Sequence, residues 1–248
     1  MKTLAKRILQ AILGFDNYLV IFSWFKVHTI RWDWKEGDFI HFLNMIPKGG
    51  VILDIGANIG IMTVHFSKRF PESKVWAIEP VPENIKGLKR IIQFFGLKNV
   101  TISEYALGDT NGEIEMVMPV VQSVKMQGLS HVIDPTIESF NEGERYMVPI
   151  FRIDDLAEIK KLYQRITAIK IDAENYEYWV FAGAKETINK HRPIIYCELW
   201  ENDHRLKCLN LICSLNYEIK VLINQKLETY DSVKHRSLNF FFIPKEGK

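Results

Sequence analysis

Val51-Ile-Leu-Asp-Ile-Gly-Ala-Asn-Ile-Gly60 is the stretch on which the fold turns. Its first half is a run of apolar side chains broken only by Asp54, the pattern of a strand buried on both faces. Its second half is a tight turn leading into a helix. Gly56 lets the backbone turn sharply and approach a ligand, Gly60 lets the helix pack against the strand, and the free N–H groups of that helix face whatever lies above.

Outward from this unit, apolar runs alternate with amphipathic segments, as in βαβ units of a parallel sheet. Ile59–Arg69 reads as a helix ended by Pro71, Lys74–Ile78 as a strand, Pro82–Phe95 as a helix stopped at Gly96, and Asn99–Tyr105 as a third strand. After the turn cluster Gly108-Asp-Thr-Asn-Gly112, strands at Glu113–Met118 and Arg145–Ile150 flank an irregular stretch from Pro119 to Gly143, long enough to cover a site. Helices at Asp154–Tyr163 and Glu177–Asn189 then alternate with strands at Ala168–Asp172 and Pro193–Leu199. After a helix at Asp203–Leu215, strands Tyr217–Ile223 and Leu238–Ile243 have no helix between them and are expected to be antiparallel. The expected fold is α/β and Rossmann-like: a seven-stranded, mostly parallel sheet with a terminal antiparallel hairpin and helices on both faces.

The chain has 248 residues, 47% of them hydrophobic and 25% charged, which excludes disorder and allows a sizeable core. Lys+Arg 32 against Asp+Glu 30 leaves a formal charge of +2, so nucleic acid is not an expected partner. Cys197, Cys208 and Cys213 lack a CxxC spacing and sit in apolar surroundings, as reduced core thiols of a cytoplasmic protein do. Lys2, Lys6 and Arg7 before Ile8-Leu-Gln-Ala-Ile-Leu-Gly-Phe15 imitate a signal peptide, but Asp16, Asn17 and Lys26 interrupt the apolar run and no small-x-small site follows. Residues 1–46 are expected to form a helical cap on a catalytic domain spanning 47–248. The alternative is a helix lying on a membrane surface, because basic residues there accompany Trp24, Phe25 and Trp32.

The turn after the first strand is Asp-x-Gly-x-x-x-Gly, not the Gly-x-Gly-x-x-Gly that cradles a dinucleotide's pyrophosphate. Asp54 would repel a pyrophosphate but can hold a cationic group such as a methionine amino group, which favours S-adenosylmethionine over NAD. Nineteen residues past Gly60, Glu79 ends the second strand, where a carboxylate can accept hydrogen bonds from two ribose hydroxyls. Tyr105-Ala-Leu-Gly-Asp109 follows the third strand and can wall an adenine, with Asp109 either reaching its amino group or forming a plain turn.

Ile52–Gly60, Ile78-Glu-Pro80, Ala106-Leu-Gly-Asp109, Arg152-Ile-Asp-Asp-Leu156, Ile169-Lys-Ile-Asp-Ala-Glu-Asn-Tyr-Glu177, Gly183-Ala184 and Pro193-Ile-Ile-Tyr-Cys-Glu198 together resemble the FkbM family of S-adenosylmethionine-dependent methyltransferases. The resemblance spans about residues 50 to 200. It implies a class I methyltransferase fold and methylation of a hydroxyl on a saccharide or other small molecule. It also implies cofactor contacts from Asp54, Gly56, Asn58, Gly60, Glu79, Ala106, Asp109 and Asp172. The family's Asp-x-Glu-Gly is here Asp172-Ala-Glu-Asn175, and Asn is the best non-glycine residue if that position needs positive φ.

Ligands of open α/β sheets bind beyond the carboxyl ends of the strands, which places Asp172, Glu174 and Glu198 at the reacting groups. Asp172 is the first candidate for the base or acceptor anchor, with Glu174 and Glu198 in support, or merely capping helices and pairing with Lys170 or Arg192. The three carboxylates can also hold Mg²⁺ or Ca²⁺, although no dedicated metal motif is present. His131, in the long covering stretch, is a further candidate base, ahead of His204. Tyr176, Trp179 and Trp200 can stack on a sugar face. The competing readings are a non-catalytic S-adenosylmethionine-binding module and a nicotinamide-dependent oxidoreductase.

Overall fold

Three helices lead into the computed structural model: α1 (Lys2–Leu13), α2 (Phe15–Thr29) and α3 (Gly37–Met45). The unit read from Val51–Gly60 follows as β1 (Val51–Ile55) and α4 (Ile61–Arg69), and then β2 (Lys74–Ile78), α5 (Pro82–Phe94) and β3 (Val100–Ser103). Short β4 (Ala106–Leu107), β5 (Gly112–Val121), β6 (Val124–Lys125), β7 (His131–Val132) and β8 (Gly143–Phe151) come next. The chain ends with α6 (Ala157–Lys160), β9 (Ile166–Ile171), α7 (Glu177–Ala182), α8 (Lys185–His191), β10 (Ile194–Glu198), α9 (Asp203–Ser214), β11 (Tyr217–Ile223), β12 (Lys226–Thr229) and β13 (Asn239–Pro244). The structure describes residues 2–33, 36–133 and 140–245, with side chains from residue 6 onward.

The main sheet runs β12-β11-β13-β10-β9-β1-β2-β3. The five strands from β10 to β3 are parallel, and β13 and β11 join antiparallel, as expected. The sheet has eight strands, not seven, because β12 pairs with β11 at the edge. The two residues of that hairpin, Asn224 and Gln225, both have positive φ, 49° and 64°. This is the backbone of a two-residue hairpin turn, made without the glycine that normally signals one. Gln122 and Ser123 (φ 51° and 64°) make a second such turn between β5 and β6.

The stretch from Pro119 to Gly143 is therefore less irregular than its sequence suggests. β5 and β8 pair from Gly112↔Ile150 to Pro119↔Gly143, and β4, β6 and β7 complete a second sheet beside the first. Residues 134–139 of that stretch lie outside the described residues.

The helix expected over Glu177–Asn189 is two, α7 and α8, because Asp154 caps the second from a distance. Its carboxylate accepts from the amides of Glu186 (3.0 Å) and Thr187 (2.9 Å). The turn that delivers Asp154 shortens the helix expected over Asp154–Tyr163 to α6.

Alternate residues of the parallel strands face two helical layers. Val51, Leu53 and Ile55 pack with Phe181, Ile188 and Ile212 on one face, and Ile52 and Val75 pack with Phe39, Phe42 and Phe66 on the other. Phe39 and Phe42 of α3 thus belong to the main core. Tyr18 and Leu19 of α2 close on Ile59. Cys197 and Cys208 are buried, but Cys213 is exposed on α9, which corrects the expectation of three core thiols; all three are unbridged. No helix among the described residues is long and apolar enough to cross a membrane.

Candidate active site

The carboxyl ends of β1, β2 and β9 open onto one pocket, whose floor is the turn after β1. Gly56 has φ 71° and lines the pocket, and a Cβ there would run into the Asp172 carbonyl oxygen. Gly56 thus lets the β1 and β9 loops touch. Asn58, at φ 50°, also lines the pocket and bonds the amide of Ile59 through its side chain (2.8 Å). Gly60 sits outside the lining. It has φ 82°, and a Cβ there would meet Leu88, so what it permits is packing of α4 against α5, not against the strand.

Asp54 is the clearest correction. It is fully buried beneath the turn and does not line the pocket. Thr63 donates to its Oδ2 (2.6 Å), and the Lys170 ammonium stands 3.6 Å from its Oδ1. Pointing inward from the strand, it holds another protein cation and not a ligand's. Burial raises its pKa, with Lys170 and Thr63 pulling the other way.

Lys170 was not singled out as a site residue. Its signal was the one charged side chain inside the apolar run Ile169–Ile171, which a strand buried on both faces tolerates only when the charge is paired. The ammonium donates to the carbonyls of Gly56 (2.9 Å) and Ile55 (3.4 Å) and pairs with Asp172 Oδ2 (3.4 Å). Burial draws its pKa down, but Asp172 and Asp54 outweigh that and leave it above its ordinary value.

Glu79 stands where the sequence placed it, buried at the end of β2 and lining the pocket. The Asn58 amide donates to its Oε2 (2.8 Å), and the Val81 amide (3.0 Å) and Asn84 Nδ2 (3.1 Å) donate to its Oε1. Burial pushes its pKa up and these donors oppose the shift. Tyr105, Ala106 and Leu107 form an adjoining wall, and Met116, Val132 and Gln127 come from the second sheet and its connection. Asp109 lies outside that lining and is the turn residue of its two readings.

His131 is also outside the lining. Ser130 and Val132 face the pocket, so strand alternation turns His131 to the other side, where its ring nitrogens meet Leu129 O (2.8 Å) and Asn141 Oδ1 (3.1 Å). His204 packs edge-on against Trp179, which in turn stacks on Tyr176. Tyr176 is the one member of the aromatic trio that reaches the pocket lining.

Asp172 lines this pocket and two neighbouring cavities. One is bordered by Phe22, Lys26 and Ile30 of the N-terminal segment, and the other, about 440 Å³, by Glu36, Tyr196, Glu198 and Asn239. Glu198 therefore faces the second cavity, with its pKa pushed up to about 7 by burial and by Asp172. Glu174 lines the first pocket at φ 47°; burial, Asp172 and Glu198 push its pKa well above the ordinary range. Asn175 follows at φ 76°, the positive value for which asparagine is the best non-glycine residue. Glu177 was missed: buried at the start of α7, it accepts from the amides of Ala173 (3.0 Å) and Asn175 (3.2 Å), and burial pushes its pKa up to about 8.

No group of three or more His, Cys, Asp or Glu among the described residues is arranged to hold a metal ion. The cation among these carboxylates is Lys170 itself, so Mg²⁺ or Ca²⁺ gains no support from the donor set. An adenosine-bearing sulfonium does fit. Glu79 meets an apolar wall, and Asn84 Oδ1 and Gln127 Oε1 are buried atoms of lining residues without a hydrogen-bond partner among the described residues, which a polar ligand could satisfy.

Residues 54–220 match the family profile described as Methyltransferase FkbM domain. Among curated proteins, the chain is 24% identical over 148 residues to Methyltransferase 1 of Beauveria bassiana, covering 55% of this chain and 59% of that protein. It is 21% identical over 187 residues to Methyltransferase sdnD of Sordaria araneosa, covering 66% and 71%. The crystal structure of methyltransferase FkbM from Methylobacillus flagellatus superposes with a TM-score of 0.52 at 18% identity, over 80% of this chain and 45% of that one, a likeness of fold. With the profile covering most of the sheet and both walls of the pocket, the chain belongs to the FkbM methyltransferase family.

Proposed function

We propose that the chain transfers a methyl group from S-adenosylmethionine to a hydroxyl of a polyhydroxylated acceptor, a saccharide or a similar small molecule. The observation that carries this reading is the position of Asp172, which lines the first pocket and both neighbouring cavities. The cofactor supplies a methyl group on a positively charged sulfur. Glu79 and the wall of Tyr105, Ala106 and Leu107 would hold its adenosine, and Asp172 and Glu174 would lie beside the sulfonium end. The acceptor cavity carries carboxylates and an amide, Glu36, Glu198 and Asn239, suited to adjacent hydroxyls.

Transfer requires the acceptor oxygen, the methyl carbon and the sulfur in line, and a group that takes the hydroxyl proton. Glu198 faces the acceptor and titrates near neutrality, so it is the base of this scheme. As the acceptor oxygen gains the methyl group and the carbon–sulfur electrons stay with sulfur, Glu198 would take the hydroxyl proton. Lys170 keeps Asp172 in place. Of the two roles the sequence offered for Asp172, base or acceptor anchor, this scheme takes the second: Asp172 is the positioning carboxylate between the two ligands.

The test is calorimetric titration of S-adenosylmethionine into wild type and Glu79→Ala, followed by methyl transfer to a panel of glycans and small alcohols. Binding that weakens in the variant, with turnover on a hydroxylated acceptor, is the expected result. Binding without turnover on any acceptor would leave a cofactor-binding module, and no binding by folded wild type would end the reading.

A further inference from the structure

The N-terminal helices carry apolar faces that neither the core nor the site uses. Tyr18, Leu19 and Val27 turn α2 inward, yet Ile21, Trp24 and Phe25 are 50%, 43% and 54% exposed. Helical spacing puts these three and His28 on one stripe. A helix that is apolar all round is ordinarily buried, and this one has a bare side. α1 is reversed. Ile8 and Ile12 are exposed, whereas its polar side turns inward: Gln10 Nε2 donates to Lys125 O (3.2 Å) and Lys6 Nζ to Met126 Sδ (3.8 Å).

At its C-terminal end the α2 stripe runs into a groove of about 830 Å³ bordered by Arg31, Trp32, Lys68 and Arg69, with no acidic residue among the described residues of its lining. His28 joins the two features, since it lines the groove and its ring lies 4.6 Å from that of Trp24. Trp32 is 82% exposed. Arg31 has no salt-bridge partner among the described residues, and Lys68 rests over the Phe95 ring. Within the groove wall, the buried Nε2 of His65 has no hydrogen-bond partner among the described residues. Burial first, and then the charges of Arg31, Lys68 and His28, lower its pKa to about 4 against the pull of a hydrogen bond to the Val27 backbone. The groove is separate from the cofactor pocket: the first turn of α4 borders the acceptor cavities, and its last turns border the groove.

We propose that this stripe and groove dock the protein on an acidic membrane surface, with a phospholipid phosphate between Arg31, Lys68 and Arg69 and with Trp24, Phe25 and Trp32 in the interface. Charge complementarity selects the occupant, because three cations with no salt-bridge partner among the described residues, rimmed by tryptophan and phenylalanine, match an anionic headgroup layer over an apolar one. Phe22, Lys26 and Ile30, on the inner side of the same segment, border an acceptor cavity, so docking would hold that opening close to the lipid.

The full chain is tested by flotation with phosphatidylcholine vesicles, with and without phosphatidylglycerol, at low and high salt. Flotation with the acidic vesicles only, weakened by salt and accompanied by a blue shift of tryptophan emission, is expected. Arg31→Gln and Lys68→Gln should each weaken partitioning about fivefold, and Trp24→Ala with Trp32→Ala should reduce the emission shift, all with wild-type circular dichroism. Failure of folded wild type to float overturns the proposal, as does equal flotation of the charge variants. Inorganic phosphate is titrated in parallel: Arg31-dependent binding of phosphate without flotation would make the groove a site for a free anion. Self-association without flotation would assign the stripe to a second copy of the chain. Either result rejects membrane docking.

Discussion

The Lys170 ammonium lies 3.4 Å from the Asp172 carboxylate, at the edge shared by the pocket and its two neighbouring cavities. Its other carboxylate, Asp54, is fully buried beneath it. One buried cation thus ties the strand end that carries the signature turn to the strand end that carries Asp172.

Lys170→Met removes that tie and leaves Asp54 as an uncompensated buried charge. Deleting one partner of a buried pair costs about 3–5 kcal/mol, so denaturant unfolding should show a loss of that size. Lys170→Met with Asp54→Asn in the same chain should recover part of it, which a double-mutant cycle would read directly.

Glu198 must be ionised to accept a proton, and burial together with Asp172 has moved its pKa up to about 7. Methyl transfer should therefore rise with pH through about 7. Glu198→Gln should lower turnover by on the order of a hundredfold and remove that rising limb, while S-adenosylmethionine affinity in calorimetry stays near the wild-type value.

Glu177 supplies a stability prediction of definite sign. Its folded pKa, pushed by burial up to about 8, lies above its ordinary value, so the fold favours the protonated carboxyl. The resulting stabilisation is fully present below the unfolded pKa and is lost as pH rises through about 8. Glu198 contributes in the same direction up to about 7. Unfolding free energy should fall from about pH 5 to about pH 9, and Glu177→Gln, which keeps an oxygen for the Ala173 amide, should flatten the slope.

Asn175 holds φ 76°, and its side-chain oxygen accepts from Asn202 Nδ2 (2.6 Å). Asn175→Gly relieves the backbone while losing that exposed bond, so its net effect should stay within about 1 kcal/mol. Asn175→Val should destabilise by about 1–2 kcal/mol, because a β-branched side chain resists the left-handed region. Thermal unfolding of both variants would check the pair.

Short-range patterns made the frame legible. Apolar runs, their alternation with helices, the glycines of the signature turn and Glu79 at the end of β2 all follow from spacing over a few residues, and the left-handed Asn175 from the family resemblance. The same information placed Asp172, Glu174 and Glu198 at neighbouring strand ends. Two hairpins were hidden because Gln122-Ser123 and Asn224-Gln225 adopt left-handed backbones without glycine, so their turns carried no composition signal.

By itself, then, the sequence determined the mostly parallel sheet with its antiparallel end and which strand ends open onto the site, because hydrophobic period and turn chemistry are properties of neighbouring residues. The tertiary structure alone decided which way each polar side chain pointed and what met it. It turned Asp54 inward onto Lys170 and His131 away from the pocket, and it brought Glu36 and Gln127 to the site from segments far apart in the chain. It also turned the apolar faces of α1 and α2 outward. The reason is physical: burial, charge pairing and strand facing depend on which surfaces pack together, and that is settled only when residues distant in sequence close on one another.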